Sequence, residues 1–229
     1  MAYVNGEALD RQIARVKRLP EKEALKLVRK VARALEYAWS EHQLLHRDIK
    51  PGNILLDTHG EPKLVDLGLA QSVRQQDRER GGKPRAAGTP NYMSPEQAEG
   101  RENLDCRTDI YALGATFYHM ITGQLPYAAP DPDEVLRRKM QESLPDPRTY
   151  VAGITSPCVA LLAGMLAHDP AERYATWKEL VADMDRVLAG KAPLRDPGGI
   201  ASSSAPPPPP DGAAPKVRIT KSEVEALRG

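Results

Sequence analysis

His46-Arg47-Asp48-Ile49-Lys50-Pro51-Gly52-Asn53 is the stretch around which the chain is organised, and Asp66-Leu67-Gly68 follows it shortly afterwards. Both are built from residue types that handle phosphate and divalent metal. An oxygen-seeking ion such as Mg²⁺ takes carboxylate and amide oxygens, which Asp66 and Asn53 offer; Asp48 then remains as a carboxylate able to accept a proton, with the point charge of Lys50 beside it. That division of labour suits phosphoryl transfer.

The spacing makes the constellation possible. Between Asn53 and Asp66 lie an apolar triplet Ile54-Leu55-Leu56, a turn-rich Asp57-Thr58-His59-Gly60-Glu61-Pro62, and a second short run Lys63-Leu64-Val65. The pattern predicts a two-stranded hairpin. A hairpin returns the chain to its starting end, so Asp66 is expected close to Asn53, with the turn kept remote.

The first stretch resembles the H-R-D-x-K-P-x-N catalytic loop of protein kinases, and Asp66-Leu67-Gly68 resembles D-F-G with Leu for Phe. Lys50, two places after Asp48, is similar to the serine/threonine type found in bacteria. A third string, Gly88-Thr89-Pro90-Asn91-Tyr92-Met93-Ser94-Pro95-Glu96, is similar to the family's G-T-x-x-Y-M-S/A-P-E ending of the activation segment. The resemblance implies that Asp48 orients the substrate hydroxyl and takes its proton, that Lys50 steadies the moving phosphoryl group, and that Asn53 and Asp66 hold Mg²⁺. It further implies that Thr89 sits beside Asp48 and Lys50, and that residues 92–95 shape the platform for the substrate peptide. Arg47 is, by the same resemblance, a residue that grips an activating phosphate. No Ser, Thr or Tyr stands between positions 73 and 88, so that segment offers no ordinary place for one.

Composition agrees with a folded domain plus an extension: 229 residues, 41% hydrophobic, leave room for one generous core. A net charge of +1 gives no electrostatic reason to invoke nucleic acid. Cys106 and Cys158 lack the spacing of a zinc site or a disulfide framework, which points to a reducing, cytoplasmic compartment. No run of about 18 apolar residues marks a membrane span.

In chain order, a strand-like start turning at Asn5-Gly6 resembles the kinase hinge E-Y-V-x-G-x-x-L, with Ala2 where the family has Glu. The resemblance assigns Tyr3 and Val4 to the adenine ring of ATP and Leu55 to the floor beneath it, with Lys50 reaching the phosphates. Leu9, Ile13 and Val16 recur at helical spacing up to Pro20. A longer helix is expected over 21–42, its stripe made of Ala24, Leu27, Val28, Val31, Leu35 and Ala38 and its first turn carrying Glu21 and Glu23. Residues 70–87 turn polar and glycine-bearing and correspond to the activation segment. A helix over 105–122 is apolar around much of its circumference, the mark of a central buried helix. Asp109 in its first turns needs buried partners, and in the family this Asp holds the catalytic-loop backbone. Further helices are expected near 133–141, 156–167 and 177–188. Between the last two, His168-Asp169-Pro170-Ala171-Glu172-Arg173 resembles an element whose Arg pairs with the Glu of the activation-segment ending, here Arg173 with Glu96. His42, His59, His119 and His168 stand alone and suit core or surface roles.

The expected fold class is therefore mainly α: a protein-kinase-like C-terminal helical lobe with a short β-hairpin carrying the metal site. The domain is placed at 1–190 (hinge and C-terminal lobe), a Pro-rich linker at 191–215 and a tail at 216–229. The resemblance covers residues 3–188. No G-x-G-x-x-G-x-V loop, V-A-I-K lysine or αC glutamate occurs in these residues, so the small N-terminal β lobe is expected to be absent. Two functions follow: a serine/threonine kinase acting on protein hydroxyls with ATP and Mg²⁺, slowed by the missing clamp, or a non-catalytic lobe serving as a scaffold. An uncovered cleft also predicts self-association.

Overall fold

The computed structural model describes residues 6–66, 71–72 and 89–195. The hinge residues Tyr3 and Val4, the pair Leu67-Gly68, the activation-segment stretch 73–88 and the tail from 196 onward lie outside the described residues. No helix among the described residues is long and apolar enough to cross a membrane.

Strand β1 (Gly6–Ala8) leads straight into helix α1 (Leu9–Val16), whose Leu9 and Ile13 are buried. Gly6 is not at a turn, as the sequence suggested, but paired in the strand opposite Asp57. A Cβ at this position would stand 2.2 Å from the Leu56 carbonyl oxygen, so the backbones approach as closely as only glycine allows. Helix α2 (Glu21–His42) has the expected bounds: acidic residues fill its first turn, and Gln43 closes it in the left-handed conformation at φ 48°. Its buried face is wider than the predicted stripe, because Leu25 and Ala32 are also buried while Leu27 is only half-buried against the core.

After β2 (Leu44–Leu45) and the catalytic-loop stretch, a 3₁₀ turn at Pro51–Asn53 delivers β3 (Ile54–Asp57), which turns back as β4 (Pro62–Leu64). The order β1-β3-β4 makes an antiparallel sheet, with Ile54 opposite Leu64 and Leu55 between Ala8 and Lys63. Asp57 fixes the hairpin turn by accepting from the His59 and Glu61 N–H groups at 2.9 Å each. A second ladder pairs β2 with β5 (Gln71–Ser72).

Helix α3 (Pro95–Ala98) is a short element that the sequence reading passed over, although it opens with a complete capping box between Ser94 and Gln97. Helix α4 (Cys106–Thr122) is the central one, buried on almost every side, with Asp105 capping its start and Gly123 at φ 71° ending it. Around it stand α5 (Pro132–Gln141), α6 (Ser156–Leu166) and α7 (Trp177–Leu188). Helix α2 packs on α7 and α4, and α6 packs on α4, so one core runs from Leu9 to Val187. Cys106 and Cys158 are both unpaired and buried, and burial pushes the Cys106 thiol up to about 12. The large apolar side chains exposed among the described residues are Val16, Tyr37, Leu125, Tyr150 and Leu194; Leu55 is only partly exposed.

Candidate active site

The turn from β2 into the catalytic loop is held by a carboxylate buried in the middle of the lobe. Asp109, 1% exposed in the first turns of α4, accepts from the backbone N–H of His46 at 2.7 Å and of Arg47 at 2.9 Å. Burial raises its carboxyl, and the two N–H bonds oppose that rise by favouring the charged form. Arg47 itself sits at φ 67°, a strained conformation that this pair of bonds helps to impose. Its carbonyl accepts from Gln97 Nε2 at 3.0 Å, which ties α3 to the loop. Gln97 was not foreseen; the capping box was the available signal.

Asp48, Lys50 and Thr89 meet at one point. Lys50 Nζ lies 2.7 Å from Asp48 Oδ2 and donates to Thr89 Oγ1 at 2.7 Å. Thr89 closes the triangle by donating to Asp48 Oδ1 from both its N–H and its hydroxyl, at 3.2 Å each. Burial would raise the Asp48 carboxyl, but the Lys50 hydrogen bond and charge, helped by Asn53 and Thr89, bring it below the ordinary value. Asp48 is therefore ionised at neutral pH and can accept a proton.

Asn53 spends its amide hydrogens on the Asp48 carbonyl at 2.8 Å and carboxylate at 3.0 Å, which turns its own oxygen away from Asp48. The hairpin then returns as expected: Val65 N–H donates to the Asn53 carbonyl at 2.9 Å, and the Val65 carbonyl faces His46 Nε2 at 3.2 Å. Asp66 is the next residue, at φ 63°, in the left-handed region that aspartate enters more readily than most non-glycine residues. Leu55 lies on the face of β3 opposite Ile54, which the core buries.

Behind this cluster a bidentate pair locks the platform. Arg173 Nη1 and Nη2 reach Glu96 Oε1 and Oε2 at 2.7 and 2.8 Å with both side chains buried, and Thr108 donates to the same carboxylate at 2.8 Å. Burial would raise Glu96, and Arg173 brings it below its ordinary value. His119 receives a structural role: its Nδ1 lies 2.8 Å from the Tyr92 hydroxyl.

Comparison with known proteins meets this geometry directly. The model of the protein kinase domain matches residues 1–184. The chain belongs to the protein kinase family. Within it, the similarity is to serine/threonine kinases of bacteria. Serine/threonine-protein kinase PknB of Mycolicibacterium smegmatis is 32% identical over 193 residues, covering 84% of this chain and 31% of that protein. A probable serine/threonine-protein kinase of Clostridium perfringens is 35% identical over 187 residues, 82% of this chain and 27% of that protein. The Mycobacterium tuberculosis PknB is 30% identical over 193 residues. The chain thus spans about a third of the length of the curated relatives it matches, and that third is a kinase-like, mainly helical fold.

Proposed function

We propose that this kinase chain is the catalytic lobe of an enzyme that moves the γ-phosphoryl group of ATP onto a Ser or Thr hydroxyl of a protein. The observation that carries the reading is the Asp48–Lys50–Thr89 triangle, in which an ionised carboxylate and an ammonium share a threonine from the platform. Asp48 accepts the proton of the attacking hydroxyl, and Lys50 neutralises charge on the phosphoryl oxygens in flight. Thr89 keeps both aligned. The backbone N–H of Arg47 fixes the loop through Asp109, and by the family resemblance its guanidinium is the group that grips an activating phosphate.

Asn53 and Asp66 are the residues that would hold Mg²⁺: Asn53 keeps an amide oxygen that it does not use on Asp48, Asp66 follows Val65, whose N–H bonds the Asn53 carbonyl, and an ion that keeps water and phosphate as ligands needs no more oxygen donors from protein. Mg²⁺ held there would neutralise phosphate charge. Leu55 supplies apolar floor for the adenine, with Tyr3 and Val4 as the hinge. We read the domain as 1–190, supported by the family match and by the end of α7 at Leu188, with a linker at 191–215 and a tail at 216–229. The buried, unpaired cysteines favour a cytoplasmic setting.

The test is transfer of label from radiolabelled ATP to a basic protein, by the chain alone and by the chain joined to a Gly-rich small lobe. Turnover on the order of 1–100 per second in the joined protein, lost in Asp48→Asn, is the expected result. The chain alone is expected to run at least about a hundredfold slower, since the Gly-rich loop and its lysine position the phosphates. Absence of transfer in both, with binding of a partner protein unaffected by Asp48→Asn, replaces this reading with the scaffold. Light scattering of the chain alone reads self-association through the cleft, and a monomer at high concentration removes that part.

A further inference from the structure

Helix α5 carries a lysine on its buried face. Lys139 lies one turn after Val135, and the two are the buried residues of the helix, with Lys139 0% exposed. Its ammonium points into the string that ends the activation segment. Nζ donates to the Met93 carbonyl at 2.5 Å and to the Asn91 carbonyl at 3.2 Å, and it lies 5.0 Å from the ring centroids of both Tyr111 and Tyr127. No carboxylate pairs with it among the described residues, and Glu96, the acid whose charge reaches it, is paired with Arg173. A lysine buried against carbonyls and aromatic faces, without a counter-ion, is costly to keep.

What it holds leads back to the reaction centre. The N–H groups of Tyr92 and Met93 donate to the Thr89 carbonyl at 3.0 and 3.1 Å, so the two carbonyls that Lys139 grips flank and close a turn begun by Thr89. Thr89 in turn bonds Asp48 and Lys50. Asn91 adds a brace by donating from Nδ2 to the Pro126 carbonyl at 2.8 Å.

We propose that Lys139 is a positioning residue for the substrate platform, its amine tying the Asn91 and Met93 carbonyls so that the turn through Tyr92 presents Thr89 to Asp48 and the acceptor peptide to both. The proposal deepens the kinase reading and rests on it for the word substrate. Its geometry stands without it. Burial, reinforced by the Arg173 charge, pushes the amine down to about 7, as expected of a strut sealed from water. Replacing the side chain by an apolar one leaves two inward carbonyls without a donor, and an unmet buried acceptor is what loosens a turn.

Lys139→Met is the variant, read in two ways. Hydrogen exchange should show the Tyr92 and Met93 amides losing protection by about tenfold or more, the scale of a charge-assisted bond, while α2 changes little. In a protein with turnover, KM for the acceptor peptide should rise by a similar factor with KM for ATP unchanged. Should Lys139→Met not fold, Lys139→Gln keeps a donor but cannot span both carbonyls, and gives the same readouts. Unchanged protection at Tyr92 and Met93, or an equal loss throughout α2, overturns the proposal. So does a KM shift confined to ATP. The exchange arm needs no phosphoryl transfer, so a chain without kinase activity fails the earlier reading and leaves this one to be judged on its own.

Discussion

Asp48 owes its charge to three neighbours, and the balance among them is open to measurement. Burial acts against the ionised form; Lys50 supplies the largest opposing effect, with Asn53 and Thr89 behind it. Lys50→Met removes the ammonium and leaves the burial, so the Asp48 carboxyl should move upward, the usual effect of losing a nearby cation. Carboxyl NMR in the isolated chain reads this without turnover. A titration unmoved by Lys50→Met would mean that the hydrogen bonds from Asn53 and Thr89 govern the group. The sign for stability follows the ordinary acid case: a carboxylate depressed in the fold contributes above its unfolded value of 3.8, and that contribution is lost as pH falls through the folded one.

At the scale of elements, two close contacts decide whether the site assembles. Strand β1 can pair with β3 only because position 6 has no side chain, so Gly6→Val should detach β1 and raise exchange at Leu56, whose N–H faces β1, while the core around α4 stays protected. Helix α3 is tied to the lobe by Arg173 and Glu96. Arg173→Met leaves Glu96 as a buried charge without its partner, and should cost about 3–5 kcal/mol in chemical denaturation. Replacing both members by apolar residues should cost less than that single change, because no lone charge remains. The same elements mark what the sequence made legible. Helix α2 has the bounds that its apolar stripe and acidic first turn predicted, helix α7 has the bounds expected of it, and the hairpin brings Val65 back to Asn53 as its spacing required. Thr89, the Arg173–Glu96 pair and the partner of Asp109 were legible only through resemblance, although the all-round apolar helix already marked Asp109 as a carboxylate in need of buried partners. The pairing of Gly6 was hidden because glycine reads locally as a turn, and its close approach to Leu56 belongs to another strand. Lys139 was hidden for a related reason. Its spacing from Val135 placed it on an inward face, but long cations at such places commonly reach out to water.

Over the whole molecule, the burial of that one amine should appear in the pH dependence of folding. Burial pushes the Lys139 amine down to about 7 against 10.5 for an ordinary lysine, so between those values the unfolded chain is expected to bind a proton that the folded chain does not. Stability rises with pH wherever the unfolded state holds more protons, by at most about 1.4 kcal/mol per unit for one group. Below 7 both states are charged and the contribution to the slope vanishes. Other groups set the ends of the window. The buried thiols of Cys106 and Cys158 are raised above 9.0, and the buried hydroxyls of Tyr92, Tyr111, Tyr118 and Tyr174 above 10.0, so above about 9 the unfolded chain begins to lose protons that the fold retains and stability turns downward. His119, lowered by burial, acts below its ordinary value of 6.5. That leaves pH 7 to 9 as the range in which the lysine stands apart from the rest. The denaturation free energy should climb across it in the wild type, and the climb should disappear in Lys139→Met while the acid side of the profile keeps its shape. A wild-type profile that is flat or falling between those limits would show that the ammonium is charged in the fold throughout, held by the Asn91 and Met93 carbonyls and the faces of Tyr111 and Tyr127 strongly enough to offset its burial.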